Sequence, residues 1–200
     1  KEAVRKAMYI LVSSLKEQGL LYAEIRFAPQ LHTKKGMSQE QVVKAALSGM
    51  QEALIGSFFN CKLILCCMRG ADNHEENLRT VRTAATFLGR GVAAVDLAGA
   101  EALYPTADFA DVFGLAKELG VPFTIHAGEA DGPESIQAAL AFGASRIGHG
   151  VRAAEDPELL ARLKEQQIPL EMCPSSNVQT KAVATLAEHP VLDFLRRGLK

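Results

Sequence analysis

Short apolar runs alternate with amphipathic stretches along the whole chain. Residues 21–28, 63–68, 92–97, 121–126, 145–149 and 168–173 are runs of the length and composition of strands. Between them the apolar positions switch to helical spacing. Val4, Met8, Leu11 and Leu15 form one stripe, closed by Gly19. Ser38 with Gln41 signals a capping box, opening a helix through Val42, Leu47 and Met50 to about Gly56. Asp72 with Glu75 predicts the next start, continuing through Leu78, Val81 and Ala85 to Gly89. Phe109, Val112, Phe113 and Ala116 mark another helix, ending at Gly120. Gly132 as cap and Pro133 at the first position open a helix that ends at Gly143, and Asp156-Pro157 opens one through Leu163. A last helix runs from about Pro190 to Gly198.

Six strands alternating with helices, with no hairpin signal, predict right-handed crossovers and a parallel sheet, hence an α/β fold. A doubly wound sheet carries a glycine-rich turn after its first strand, and none is present. A (β/α)8 TIM barrel places polar residues at the carboxyl ends of several strands. This chain does so at Asp96-Leu97-Ala98-Gly99, His126-Ala127-Gly128-Glu129, Gly148-His149-Gly150 and Cys173-Pro174-Ser175-Ser176-Asn177. The barrel is therefore expected, with residues 1–200 as one domain. A full barrel takes about 250 residues, so about six of the eight βα units are expected here.

Composition narrows the functional classes. The 200 residues are 48% hydrophobic with a formal charge of −1, and acids and bases are interspersed. That argues against nucleic acid or an anionic membrane as partner. Cys61, Cys66, Cys67 and Cys173 have neither disulfide-framework nor zinc-ribbon spacing. They are expected to pack in the core of a protein of the reducing cytoplasm, with neighbours Cys66 and Cys67 on opposite faces of their strand.

The stretch from Val121 to Ser135 carries the chemistry. An apolar strand runs into His126, turns at Gly128, presents Glu129 and enters a helix. Imidazole is a common zinc ligand, and catalytic zinc takes about three protein ligands and an open position. Glu129 beside such a site is suited to proton transfer. His149 lies between two glycines, which either open space at the imidazole or permit a tight turn. Asp96 and Gly99 are each open to a structural or a ligand-facing reading. Glu24 and Arg26 share a strand face and are expected to pair with each other in a structural role. His32, His74 and His189 fall in loop or helix-start positions and are expected to be exposed.

Together these residues closely resemble the adenosine deaminases of the amidohydrolase-type barrels, over essentially the whole chain. The resemblance is carried by Tyr22-Ala23-Glu24-Ile25-Arg26-Phe27-Ala28-Pro29, by Asp96-Leu97-Ala98-Gly99, and by the His126–Glu129 and Arg146–Gly150 stretches. Glu171-Met172-Cys173-Pro174-Ser175-Ser176-Asn177-Val178-Gln179-Thr180 completes it. It implies zinc-dependent hydrolysis of adenosine and deoxyadenosine to inosine products and ammonia in purine salvage, with zinc-bound hydroxide attacking C6. His126 would be a zinc ligand. Glu129 would protonate purine N1, and His149 would orient and help deprotonate the water. The Gly99 backbone would contact the purine. The family's His-x-His pair and its paired aspartates do not occur, and Ala100-Glu101 stands where the family usually has Asp-Glu. With no initiator methionine, the chain reads as an internal piece of a longer enzyme, lacking the first and eighth strands. By itself it is expected neither to hold zinc tightly nor to deaminate.

The competing readings are an adenine or adenosine-nucleotide deaminase on the same barrel, and a non-catalytic fragment or degenerate scaffold. The expected partner is a small purine nucleoside, with no nucleic acid and no membrane; the sequence does not fix an oligomeric state.

Overall fold

The computed structural model describes residues 1–200. Six strands lie parallel in chain order: β1 (Tyr22–Phe27), β2 (Asn60–Met68), β3 (Val92–Ala98), β4 (Thr124–Ala127), β5 (Arg146–His149) and β6 (Leu170–Glu171). They form two three-stranded sheets, β1-β2-β3 and β4-β5-β6. A single parallel bridge joins the two at Val95 and Phe123, where the Val95 N–H donates to Pro122 O at 3.0 Å. The result is a six-stranded arc.

Eight helices accompany the strands. They are α1 (Glu2–Glu17), α2 (Gln39–Leu54), α3 (His74–Phe87), α4 (Ala110–Glu118), α5 (Pro133–Phe142), α6 (Pro157–Glu165), α7 (Pro174–Gln179) and α8 (Val191–Arg197). The Ser38–Gln41 capping box forms with both hydrogen bonds present, and Asp156 caps α6 through the N–H groups of Glu158 and Leu159. The start of α3 differs from expectation. Asn73, and not Asp72, is the capping residue, and it makes no side-chain cap bond. Its amide instead donates to the Met68 and Arg69 carbonyls and ties down the turn out of β2. Helix α7 was not signalled by periodicity because six residues are too few to show it.

Strand alternation sorts the side chains into two environments. Leu63, Leu65, Cys67, Val95, Leu97, Ile125 and Ile147 point toward the helices. There they join Val43, Val81, Phe113, Ile136 and Leu163 in one buried cluster. The opposite face carries Glu24, Arg26, Cys66, Asp96, His126, Arg146 and Glu171, matched across the strands by register. Cys66 and Cys67 therefore do face opposite ways. Cys67 Sγ lies 3.7 Å from Asn77 O and Cys66 Sγ 3.9 Å from an Asp96 oxygen. Cys61, Cys66 and Cys67 are buried, but Cys173 is exposed, because it follows β6 at the rim of the arc.

The charged inner face curls the arc on itself. Glu24 and Arg26 share that face as expected but do not pair, because each finds a partner across the interior. Arg146 of β5 donates to Glu24 of β1 at 2.6 Å. Arg26 of β1 pairs with Asp96 of β3 at 3.0 Å and with Glu171 of β6. Arg146 Nε also lies 2.9 Å from Glu171 Oε1, an ion pair whose angle is too poor for a hydrogen bond. Asp96 is fully buried and the other four charges partly so, and each has an opposite charge in contact, as a desolvated charge requires. No helix is long and apolar enough to cross a membrane.

Candidate active site

The strand ends bring the candidate residues together. In the register of β4 with β5, His126 lies opposite Gly148, and Ala127 opposite His149. The rings of His126 and His149 stand 5.0 Å apart, centroid to centroid. A Cβ on Gly148 would lie 3.1 Å from His126 Cα and 3.4 Å from its Cγ. Gly148 thus provides the space that His126 occupies. His149 and Gly150 both take left-handed backbone, at φ +64° and +68°. For a histidine that conformation costs on the order of 1 kcal/mol and is held only by its surroundings. The glycines flanking His149 serve the packing of His126 and the turn.

Asp96 is fully buried behind His126, with His126 Nδ1 at 2.8 Å from Oδ2 and 3.0 Å from Oδ1. A carboxylate accepts, so Nδ1 carries a proton and, in the neutral ring, Nε2 is left with its lone pair. Burial is the largest influence on His126 and works against its charge, but the hydrogen bond to Asp96 and the Asp96 charge together outweigh it and raise the pKa above the ordinary value. Metal-binding histidines are commonly held this way, the non-ligating N–H given to a carboxylate. The donor set fits one ligand of a divalent metal. No group of three or more His, Cys, Asp or Glu stands close enough to hold an ion by itself.

Glu129 reaches the same corner from the turn after β4. Its Oε1 accepts from Asn177 Nδ2 at 3.0 Å and from Thr180 Oγ1 at 2.9 Å, and its Oε2 lies 3.4 Å from His149 Nε2. The same Asn177 amide nitrogen is 2.9 Å from His149 Nδ1. An amide nitrogen only donates, so Nδ1 accepts and a neutral His149 carries its proton on Nε2. Burial is the largest influence on His149 and holds its pKa below the usual value, against the pull of Glu129.

His126, Gly148 and His149 line a cleft of about 430 Å³ with Arg26, Glu171, Met172, Cys173 and Ser176. Gly99 is not among the lining residues. It follows β3 at φ +113°, exposed, with its backbone against Arg69. A larger trough of about 600 Å³ between α2 and α3 is lined by Ser38, Glu76, Arg79 and neighbours, and no strand end reaches it.

Several supporting residues escaped the sequence reading. Glu101 is buried, and its carboxylate accepts the backbone N–H groups of Gly128, Glu129, Ala130 and Asp131 at 2.6–3.2 Å, and the Ser135 hydroxyl at 2.5 Å. It holds the turn that presents Glu129. Arg69, also buried, donates to His126 O at 2.7 Å, Thr106 Oγ1 at 2.9 Å and Tyr104 O at 2.6 Å. His189 is buried against Asn177 and not exposed, because the segment 181–190 folds back over α7. Periodicity gives no sign of any of these. Only the run of bare N–H groups in residues 128–131 asks for an acceptor, without saying which. His32 and His74 are exposed, as expected.

Comparison with known proteins places the chain in a family. The sequence profile of the adenosine deaminase family matches residues 1–200. The chain is 55% identical over 202 residues to the adenosine deaminase of Haemophilus ducreyi, covering 99% of this chain and 59% of that protein. With the Enterococcus faecalis adenosine deaminase it shares 41% over 198 residues, covering 99% and 58%. It thus spans about three-fifths of the length of these relatives. Among solved structures, the adenine deaminase of Arthrobacter aurescens superposes with a TM-score of 0.83 at 30% identity, covering 98% of this chain and 60% of that one. An amidohydrolase from Burkholderia ambifaria with bound Zn superposes with a TM-score of 0.90 at 22% identity, covering 100% and 56%, which speaks for the fold alone. By the full-length profile match and the identity to curated relatives, the chain belongs to the adenosine deaminase family.

Proposed function

We propose that an enzyme of the relatives' length carrying these residues hydrolyses adenosine and deoxyadenosine to inosine products and ammonia in purine salvage. It would be a hydrolase of cyclic-amidine C–N bonds. Residues 1–200 would then be the central part of one (β/α)8 domain, supplying about six of its eight units. The observation that carries the reading is the meeting of Asp96-held His126, Glu129 and His149 at neighbouring strand ends.

Each side chain has a task its contacts suit. His126, with Nδ1 given to Asp96, offers Nε2 to zinc, and the remaining ligands would come from outside these residues. Bound zinc would supply a Lewis acid that lowers the pKa of a water to about 7. Glu129 has Oε1 occupied by Asn177 and Thr180, so Oε2 is the oxygen that carries a proton to purine N1. Protonating N1 draws electrons from C6, which then accepts the oxygen of water. Of the water's two protons, one leaves with the amine as ammonia, and the other returns to Glu129 as the C6 hydroxyl becomes the carbonyl of the inosine product. His149, neutral with Nε2–H, orients that water as a donor. Its Nδ1 is engaged by Asn177, which leaves the neutral ring no free nitrogen for a base's role. The Gly99 backbone is assigned to the purine on resemblance alone.

The test is Glu129→Gln in the full-length enzyme, with ammonia release and metal content measured together. Turnover should fall by at least about a hundredfold, the lower end of general acid–base contributions, with zinc retained. Unchanged kcat would remove Glu129 from the proton transfer. Running adenine and AMP beside adenosine separates the alternative deaminase readings.

A further inference from the structure

His189 touches none of the groups given a chemical task above, yet one side chain connects it to two of them. It sits just before α8 and is 5% exposed. Its Nδ1 accepts the backbone N–H of Val191 at 3.2 Å, which places the proton of the neutral ring on Nε2. That Nε2 lies 3.0 Å from Asn177 Oδ1. Asn177 is wholly buried, and its Nδ2 has two hydrogens, one for Glu129 Oε1 and one for His149 Nδ1.

The donors and acceptors run in one consistent order. A carboxylate oxygen accepts, so the amide nitrogen must face Glu129 and the amide oxygen must face His189. A buried amide oxygen needs a donor, and the Val191 N–H ensures that His189 offers one. Were the amide turned over, its oxygen would lie about 3 Å from the Glu129 carboxylate, and His149 would have to donate from Nδ1. The His149 proton would then leave the nitrogen that faces Glu129.

We propose that His189 is a positioning residue for deamination, which by donating to Asn177 Oδ1 fixes the amide and through it the rotamer of Glu129 and the tautomer of His149. This rests on the deaminase reading of the site. Its contribution is separable from the fold, because it acts on which way one amide points.

The experiment uses the full-length enzyme with metal content measured for each variant. His189→Leu keeps the bulk and removes the donor; His189→Gln keeps an N–H donor of similar reach. His189→Leu should lower kcat about tenfold to a hundredfold, the scale of leaving a buried acceptor without its donor. KM for adenosine should stay within about twofold, metal content should not change, and His189→Gln should recover most of kcat. In an Asn177→Ala background His189→Leu should cost nothing further, since the connection is already cut. Unchanged kcat in His189→Leu, additive losses in the double variant, or loss of metal in step with kcat without rescue by glutamine would each overturn the proposal. The ¹⁵N shifts of the His149 ring read the tautomer independently of turnover: Nε2–H in the unsubstituted enzyme, a mixture in His189→Leu. Identical spectra would overturn the positioning role. An unsubstituted enzyme that releases no ammonia from adenosine would overturn the deaminase reading instead.

Discussion

Replacing Glu101 by Gln exchanges one carboxylate oxygen for an amide nitrogen at a group that accepts five hydrogen bonds, four from backbone and one from Ser135. Oε2 receives the N–H groups of Glu129, Ala130 and Asp131, and Oε1 receives Gly128 N–H and the Ser135 hydroxyl. The amide oxygen must take the place of Oε2, where three donors converge. The new NH2 then faces Gly128 N–H, which loses its acceptor, while the Ser135 hydroxyl can rotate to accept. An orphaned buried N–H costs about 1–3 kcal/mol, and each of the three surviving bonds drops from the charged to the neutral class, about 1 kcal/mol apiece. Bonds to one carboxylate do not add fully, so opening of the turn should become easier by about 3 kcal/mol. Amide hydrogen exchange of residues 128–131 should accelerate about a hundredfold, at roughly 1.4 kcal/mol per factor of ten. Turnover should fall too, since misplacing a reacting group by about 1 Å can cost a hundredfold. Exchange within about twofold of the unsubstituted enzyme, with unchanged kcat, would show that the carboxylate does not hold the turn.

Two further outcomes follow from the packing of the inner face. Gly148→Ala puts a methyl 3.1 Å from His126 Cα, a backbone atom that cannot step aside; denaturant unfolding of the full-length enzyme should show a loss of about 1–3 kcal/mol, with kcat reduced as well. Burial opposes the charge on Glu24, but the Tyr22 and Arg146 hydrogen bonds prevail and hold its pKa below the usual value. A depressed folded-state pKa gives stability that is present above the ordinary carboxylate value of about 4.3 and is lost as pH falls through the folded value. Arg146→Met should flatten that acid limb in denaturation curves taken down the pH scale, and an unchanged limb would exclude the pair as its source.

While it was the family resemblance that grouped His126, Glu129 and His149, the six strands and seven of the eight helices could be read from the residues. The reason is physical: period-two and period-3.6 patterns are set by burial on one face, and turn chemistry at Gly132-Pro133 and Asp156-Pro157 is local. What could not be read is whatever depends on contacts between distant segments. Glu24 and Arg26 are two residues apart and share a face, yet their partners lie 122 and 145 residues along the chain. Glu101 is the matching half of a loop pair from which only Ala100 departs, and nothing local shows that it organises the turn 27 to 30 residues later. His189 looked like a solvent-facing histidine, because nothing local shows that it would be covered.

Strand pairing in this chain joins sequence neighbours only, so the sheet can extend one unit at a time in the order of synthesis. The ties from β1 to β5 and β6 are different, because they need the far end of the arc to have arrived. Contacts of such long sequence separation are the slow ones to close. Asn177, which sets the Glu129 side chain, is also contributed only after β6. A nascent chain therefore holds its His126 early but acquires an ordered cleft only once β6 and Asn177 have followed. Molecules short of β6 and Asn177 would have most strands in place but not the Glu129 side chain, so ordering of that side chain should report completion of the arc more faithfully than any measure of secondary structure.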